Sequence, residues 1–405
     1  MRGELGQFLM AEAAITAARE SNGLPMNLRG RIPELDGLRG VAIAMVVAYH
    51  YFLEPIQARP GTWLSHTQAA GRLAWSGVDL FFVLSGFLIG GILLDARDSL
   101  NYFQVFYTRR FFRIVPIYAV FLCVAFLLFM ASRLLVANRF AWLFQERLPW
   151  APYIFFIQNF WMAKANIFGA VILSVTWSLA VEEQFYLTFP FLVRVLSPRT
   201  LVLFLFGAVF AAPLLRVAIH EIWRGHAVAW YVAMPCRADA LLLGALGAVA
   251  LRNPGWRSRL LNSRKALLCA LVVLASGFGL LTKFGDLSTF TMVSVGLTWL
   301  ALFYLCILLY AVIYKDSWLS QCLRWRWLMW LGSIAYGVYL FHQFMVCTLQ
   351  AILWGRVPGS LSWPRLCVSV FALVVTLIFC QLSWVYFEKR MLQVGHKANY
   401  KWREG

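Results

Sequence analysis

Long uncharged runs constrain this sequence more than any other feature, because about 18 or more consecutive apolar residues can cross a lipid bilayer as a helix. Residues 289–314, TFTMVSVGLTWLALFYLCILLYAVIY, contain no charged side chain. The whole chain of 405 residues is 61% apolar and only 13% charged, whereas soluble domains are about half apolar and about a quarter charged. The sequence therefore predicts an all-α, polytopic bundle of membrane helices.

Ten transmembrane helices are predicted from the apolar runs between charged breaks. An eleventh apolar segment, residues 148–162, is short, contains two prolines and is rich in aromatic residues. These features favour an interfacial or re-entrant piece over a full span. The predicted spans are 39–55, 74–95, 114–132, 176–194, 200–219, 228–251, 266–282, 290–313, 330–353 and 366–388.

The distribution of basic residues predicts how these spans are oriented. If both termini are cytoplasmic, most of the 36 lysine and arginine residues fall in segments on that side, as the positive-inside rule requires. The same rule explains the net charge of +18 without nucleic acid as a partner. We expect a cytoplasmic tail at 1–38, one membrane domain at 39–388 and a basic cytoplasmic tail at 389–405.

No metal centre or disulfide framework is expected. The eight cysteines occur without a CxxC pair, which is typical of small core residues. His50, Glu182 and His342 have side chains that could ligate zinc, but no HExxH, HxxxH or Cys/His-rich run accompanies them. The sequence therefore predicts no bound metal.

Several ionisable residues are predicted to lie at one depth of the membrane. His50 follows Arg39 by eleven positions, which separates the two by roughly 16 Å along a helix. Each charge near the bilayer centre costs roughly 2.5–3.5 kcal/mol, so such clusters usually serve catalysis, proton transfer or transport. The residues predicted to share the depth of His50 are Asp79, Glu182, Glu183, Arg237, Asp239 and His342.

Other readings of this layer stay open on the sequence alone. A single intramembrane histidine is more often a packing residue with satisfied hydrogen bonds. Asp79 lies close enough to the predicted interface to be partly hydrated. Arg237 and Asp239 could pair with each other, or with Glu182.

A basic stretch precedes the third predicted span. In NYFQVFYTRRFFRIVPIYAV, residues 101–120, Arg109 and Arg113 share a helix face, as do Arg110 and Arg113. Three guanidinium groups on one rim suit bidentate phosphate binding. The alternative is that these arginines fix the topology and contact lipid headgroups.

Six motifs, taken in order, resemble the acyltransferase-3 family of integral membrane O-acyltransferases. The resemblance covers about residues 31–390, nearly the whole membrane domain. The last block departs from the family, because many members end near Glu-x-Pro where this chain has FEKR from Glu388 onward. The motifs are LDGLRG followed by a histidine, FFVLSGFLI, RRFFRIVPIY, TWSLAVEEQFYLTFP, RADALLLGALGA and GSIAYGVYLFH.

The resemblance implies a function and assigns residues to it. It implies an acyl-CoA donor, acetyl-CoA by family habit, and a hydroxyl acceptor such as a carbohydrate or a lipid-linked sugar. The Arg-x10-His motif falls on Arg39 and His50, with His50 as the essential histidine, and the WSLxVE block falls on Glu182. These three residues are the predicted catalytic residues. We expect His50 to act as general base with Glu182 orienting its ring. The donor-binding residues are predicted to be Arg109, Arg110, Arg113 and Tyr118.

A further set of residues is expected to support the chemistry. Arg237 or Ser178 is a candidate for stabilising the oxyanion. Ser85, beside Gly86, more simply serves close helix packing. The supporting residues are Asp79, Ser85, Trp177, Ser178, Glu183, Arg237, Asp239, Tyr336 and His342.

The resemblance also sets expectations for location and partners. We expect a multi-pass protein of the bacterial cytoplasmic (inner) membrane that stands alone, without the additional hydrolase domain of some members. Its partners are acyl-CoA, the hydroxyl acceptor and membrane lipid. The rival prediction is a proton-coupled transporter or flippase that uses the same His/Glu/Asp layer as a relay, although no half-to-half repeat of broken helices is visible.

Overall fold

The computed structural model describes residues 31–56, 61–71, 73–134, 139–284, 289–355 and 362–402. Within these ranges the secondary structure is helical, with no strand, so the predicted all-α class is confirmed. Most of the predicted N-terminal tail, residues 1–30, lies outside the described ranges. The division into two tails and one membrane domain stays a prediction.

Short π-helical segments continue three of the helices at Tyr49–Leu53, Met292–Gly296 and Trp384–Glu388. The α-helices are α1 (Pro33–Ala48), α2 (Trp63–Ala70), α3 (Gly77–Ala96), α4 (Tyr102–Leu134), α5 (Ala151–Ile154), α6 (Gln158–Ala165), α7 (Thr176–Val195), α8 (Pro198–Ile222), α9 (Ala227–Val232), α10 (Met234–Arg252), α11 (Pro254–Asn262), α12 (Arg264–Phe284), α13 (Leu297–Ile313), α14 (Trp318–Leu323), α15 (Arg326–Ser333), α16 (Ala335–Trp354), α17 (Trp363–Ser383) and α18 (Lys389–His396).

Seven helical stretches of the described chain are long and apolar enough to cross a membrane, or eight if α11 and α12, bent by 76°, form one span. The predicted spans 39–55 and 176–194 are also helical, as α1 with its π-helical end and as α7. Their charged side chains lower their mean hydropathy, and they are not among the seven apolar stretches. The count of ten spans and the side of the membrane on which each terminus lies stay predictions.

The segment predicted to be re-entrant is broken in the middle. Residues 148–162 contain only α5 and the start of α6, and Phe156 between them has a positive φ of 54°. Neither short helix can cross a bilayer, which needs about 20 helical residues. This structure agrees with the interfacial or re-entrant prediction.

Helices α3 and α10 form the centre of the bundle through glycine contacts. A Cβ atom at Gly86 would overlap the carbonyl oxygen of Leu241, and one at Gly244 would overlap the carbonyl oxygen of Val83. Small residues of this kind let the backbones of membrane helices touch. Glycines also bring α1 close to α14 and α15, because Gly37 packs on the Leu323 carbonyl and Gly40 packs on the Leu328 carbonyl.

Replacing Gly86 by Ala is expected to destabilise the bundle, because the added methyl group must push α3 and α10 apart. Overpacking of this kind typically costs about 1–3 kcal/mol. Gly207→Ala, on the lipid-facing side of α8 where nothing lies within 4 Å of the added Cβ atom, is the matched control and should be neutral or slightly stabilising. Thermal unfolding in detergent would measure both, and equal midpoints for the two variants would contradict the packing account.

Candidate functional site

His50 lies where α1 passes into its π-helical end. Its Nδ1 atom lies 3.0 Å from a carboxylate oxygen of Glu54. Since a carboxylate only accepts hydrogen bonds, this contact assigns the proton to Nδ1 and leaves a lone pair on Nε2 of the neutral ring. The His50 side chain is 23% exposed, so a ligand can reach it.

The carboxylate at His50 is therefore Glu54, not Glu182 as expected from the sequence. Glu182 instead accepts a hydrogen bond of 3.1 Å from the Tyr186 hydroxyl, which also contacts the Ser85 hydroxyl. Sequence reasoning missed Glu54 because it follows the apolar run. The available signal was its position four residues after His50, which puts both side chains on one helix face.

A second imidazole lies beside His50. The rings of His50 and His342 have centroids 5.3 Å apart, so the predicted proximity of these two residues is present in the structure. His342 is fully buried, and its Nδ1 atom donates to the carbonyl oxygens of Tyr339 at 2.7 Å and Val338 at 3.2 Å. Nε2 of His342 is buried without a partner among the described residues.

Two hydroxyl groups surround this histidine pair. The Tyr51 hydroxyl donates to the carbonyl oxygen of His342 at 2.6 Å, which ties α1 to α16. The Tyr339 hydroxyl contacts the hydroxyl of Ser178 and the carbonyl oxygen of Val175. Ser178, a predicted oxyanion stabiliser, therefore contacts Tyr339, and no described hydrogen bond joins it to His50.

The other end of α1 carries a cluster of guanidinium groups. Arg39 interacts electrostatically with Arg110 and Arg113 of α4 as well as with Asp36, whose carboxylate lies 3.3 Å away. Glu182 interacts with Arg39 and Arg113. The predicted arginine loop and the WSLxVE block thus meet at this point, which we call the arginine end; the His50–His342 pair is the histidine end.

Arg110 and Arg113 of this cluster lie without a described hydrogen-bonding partner. Both are half-buried, and neither makes a side-chain hydrogen bond or ion pair with another described residue. Glu183 interacts electrostatically with Arg110, and Glu388 interacts electrostatically with Arg113. Their guanidinium donors are therefore available to an anion.

Arg109 has a different partner. Its guanidinium group donates to the carbonyl oxygen of Ala398 at 3.0 and 2.8 Å and lies over the Tyr400 ring at 5.3 Å. Burial raises the pKa of the Tyr400 hydroxyl above its usual value, although Arg109 and Arg110 oppose this shift. In this structure Arg109 fastens the C-terminal segment to α4 and is not free for a ligand, contrary to the expectation from the sequence.

The two tyrosines predicted near the donor make backbone contacts. The Tyr118 hydroxyl donates to the Tyr153 carbonyl at 2.9 Å, and its ring stacks on Phe156 at 4.6 Å, so it anchors the segment 148–162. The Tyr336 hydroxyl donates to the carbonyl oxygen of Ile114 at 3.2 Å. A role of either residue in donor binding stays a prediction.

The buried charges of α3 and α10 pair in a way that the sequence did not indicate. Arg237 contacts Asp79 at 2.6 Å, and the side chains of both are 1% exposed. Its guanidinium group also lies 5.1–5.7 Å from the rings of Phe82, Trp177 and Tyr231. Arg237 is therefore held in a buried ion pair inside an aromatic cage.

Asp239 pairs with an arginine that sequence reasoning left out. Arg216 of α8 is fully buried and contacts Asp239 at 2.9 Å, Thr298 at 2.7 Å and the Val293 carbonyl at 2.8 Å. The suggestion that Arg237 and Asp239 pair with each other is wrong, because each has a nearer partner on a neighbouring helix. The signal that could have found Arg216 is its position as the one charge inside an apolar span.

Comparisons with known proteins decide the family. The model of the acyltransferase domain matches residues 32–385. The chain belongs to the acyltransferase-3 family. This confirms the resemblance noted in the sequence, and the protein is an integral membrane protein.

Similar proteins come from three bacterial species. The O-acetyltransferase OatA of Staphylococcus aureus is 27% identical over 385 residues, which are 91% of this chain and 58% of the relative. The putative peptidoglycan O-acetyltransferase YrhL of Bacillus subtilis is 29% identical, over 91% of this chain and 56% of the relative. The peptidoglycan O-acetyltransferase OatA of Listeria monocytogenes is 28% identical, over 92% of this chain and 58% of the relative.

This acyltransferase-3 chain thus spans little more than half the length of these relatives. No solved structure matches it. The comparisons assign the family but do not assign roles to individual residues.

Proposed function

We propose that this chain is an O-acyltransferase that moves an acetyl group from acetyl-CoA to a hydroxyl group of a cell-envelope glycan. The names of the relatives support acetyl transfer, and two of them support peptidoglycan as the acceptor. The observation that carries the proposal is the arrangement around α1. The unpaired guanidinium groups of Arg110 and Arg113 on α4 lie near Arg39, and the histidine pair lies roughly 16 Å from Arg39 along α1.

The arginine end suits the phosphate groups of the donor. Arg110 and Arg113 supply planar, permanently charged donors that match phosphate oxygens bidentately. Arg39 adds a third positive charge at the same point. The acyl thioester would then extend between the helices toward the histidine end, so that the cytoplasmic donor reaches a hydroxyl from the other face.

The histidine end suits proton transfer. The acceptor O–H bond breaks as its proton passes to Nε2 of His50, and the oxygen forms a bond to the acyl carbon. The C–S bond of the thioester then breaks, and the thiolate takes a proton back. Glu54 orients the ring through Nδ1 and stabilises its charged form, as the third member of a catalytic triad does.

The transporter alternative has less support. A relay through the membrane needs carboxylates that can take up and release protons, and Asp79 and Asp239 are each neutralised by a buried arginine at 2.6 and 2.9 Å. The two classes still differ in one decisive property. An acyltransferase consumes thioester, and a transporter does not.

Reconstituted protein should consume acetyl-CoA in the presence of peptidoglycan fragments. His50→Ala should lower kcat by about 100-fold or more, because the general base is lost, while CoA still binds. Arg110→Ala should raise the KM for the donor, whereas Arg133→Ala, an exposed arginine at the far end of the same helix, should change neither value. A wild type that neither binds CoA nor consumes it would refute this donor and favour the transporter.

Glu54 and Glu182 should affect different kinetic constants. Glu54→Gln is expected to lower kcat by about tenfold or more, because the amide no longer fixes the charged ring of His50. Glu182→Gln should act mainly on the KM for acetyl-CoA, since Glu182 interacts with Arg39 and Arg113. Initial rates over a range of donor concentrations separate the two. If kcat falls in Glu182→Gln and not in Glu54→Gln, the sequence-based assignment of Glu182 as the residue that orients His50 would be restored.

A further inference from the structure

Residues 398–401, which we call the strap, follow α18 and are bound to the beginning of α4. Asn101, just before α4, donates to the Asn399 carbonyl at 2.9 Å and accepts from the backbone N–H of Lys401 at 2.8 Å. Arg109 donates to the Asn399 side chain at 3.3 Å, in addition to its bonds to the preceding carbonyl oxygen. These bonds hold the strap against the helix that carries the arginine end.

The strap carries a buried hydroxyl group that has no hydrogen-bond partner among the described residues. This is the hydroxyl of Tyr400, whose ring lies 5.3 Å from the guanidinium carbon of Arg109. The hydroxyl interacts electrostatically with Arg110 and with the buried Tyr102, so it faces the bundle. Tyr102 already donates its own hydrogen bond to the Pro190 carbonyl at 3.2 Å. Buried polar groups seldom lack a partner without a reason.

The unpaired guanidinium group of Arg110 has the complementary need. Arg110 and Tyr400 interact electrostatically, but no described hydrogen bond joins them. A phosphate group between them can accept hydrogen bonds from both, because its oxygen atoms are strong acceptors and a guanidinium group matches them well. The exposed ring of His396, on α18, interacts with the three arginines of the basic stretch. The positive potential of the arginine end therefore continues to the strap.

We propose that the strap forms one wall of the donor's phosphate site, where the Tyr400 hydroxyl donates a hydrogen bond to a phosphate group that Arg110 also binds. This inference rests on the proposed function and adds a binding residue to it. The strap lies beyond residues 32–385, the part of the chain that matches the family. Arg109 holds the Tyr400 ring in the orientation that this contact requires. The phosphate of an anionic lipid headgroup has the same chemistry, so the experiment must separate the two sources.

The measurement is the Kd for CoA by isothermal titration calorimetry in nanodiscs of neutral phosphatidylcholine. Tyr400→Phe removes only the hydroxyl and keeps the ring over Arg109. We expect the Kd to rise by about tenfold, because hydrogen bonds to charged groups are the stronger ones. Tyr386→Phe, at a 63% exposed tyrosine of the π-helical segment before α18, is the matched control and should leave the Kd unchanged. Equal affinities of wild type and Tyr400→Phe would overturn the inference.

A second substitution tests the strap itself. Asn101→Ala removes two of the bonds that fasten it and leaves Tyr400 intact. The Kd for CoA should rise by about threefold in the wild-type background and should not rise further in Tyr400→Phe, because both changes act through one contact. Equal effects of Asn101→Ala in the two backgrounds would show that the strap does not position Tyr400, and would contradict the inference.

Two further conditions separate failure of this inference from failure of the proposed function. If wild type binds inorganic pyrophosphate, loses affinity in Tyr400→Phe and does not bind CoA, the proposed donor is refuted and the phosphate site stands. CoA binding that Tyr400→Phe does not change refutes only the inference. An effect of Tyr400→Phe that appears only in nanodiscs of anionic phosphatidylglycerol would assign the hydroxyl to a lipid headgroup and overturn its assignment to the donor. Wild type that binds neither CoA nor pyrophosphate would refute both.

Discussion

A charged side chain inside a membrane bundle needs an opposite charge or a full set of hydrogen bonds, and this requirement organises the structure. Arg216 meets Asp239, and Arg237 meets Asp79, each with almost no exposed surface. Removing one partner of such a pair typically costs about 3–5 kcal/mol, because the other charge stays buried alone. These pairs tie α3, α8 and α10 together and leave few groups free for chemistry.

Several polar groups of the described chain lack such partners, and the candidate site is built on those that lie near Arg39 and His50. Arg110 and Arg113 have no ion-pair partner among the described residues, and Nε2 of His342 has no hydrogen-bond partner there. Unsatisfied groups of this kind are costly in the folded protein. The two guanidinium groups lie near Arg39 and the imidazole nitrogen belongs to the ring beside His50, and α1 carries both Arg39 and His50. A donor with an anionic head and a long arm matches this distribution of charge.

The sequence predicted the parts of the molecule that depend on single segments. Apolar runs gave most of the helices, and the pattern of motifs gave the family. The sequence did not predict which helices are neighbours, and the ion pairs depend on which helices lie side by side. Arg237 therefore pairs with Asp79 from a distant span, and Arg109 binds the carbonyl of Ala398. Glu54 was within reach of helical spacing, but a carboxylate just beyond an apolar run resembles an ordinary loop residue.

The central claim is that one donor molecule spans the arginine and histidine ends. A cryo-electron microscopy structure of the protein with bound CoA tests it most directly. The account predicts phosphate density against Arg110 and Arg113, with the pantetheine arm running between the helices so that its sulfur atom lies beside His50. CoA bound elsewhere, or a sulfur atom that remains outside the bundle and away from His50, would contradict the account.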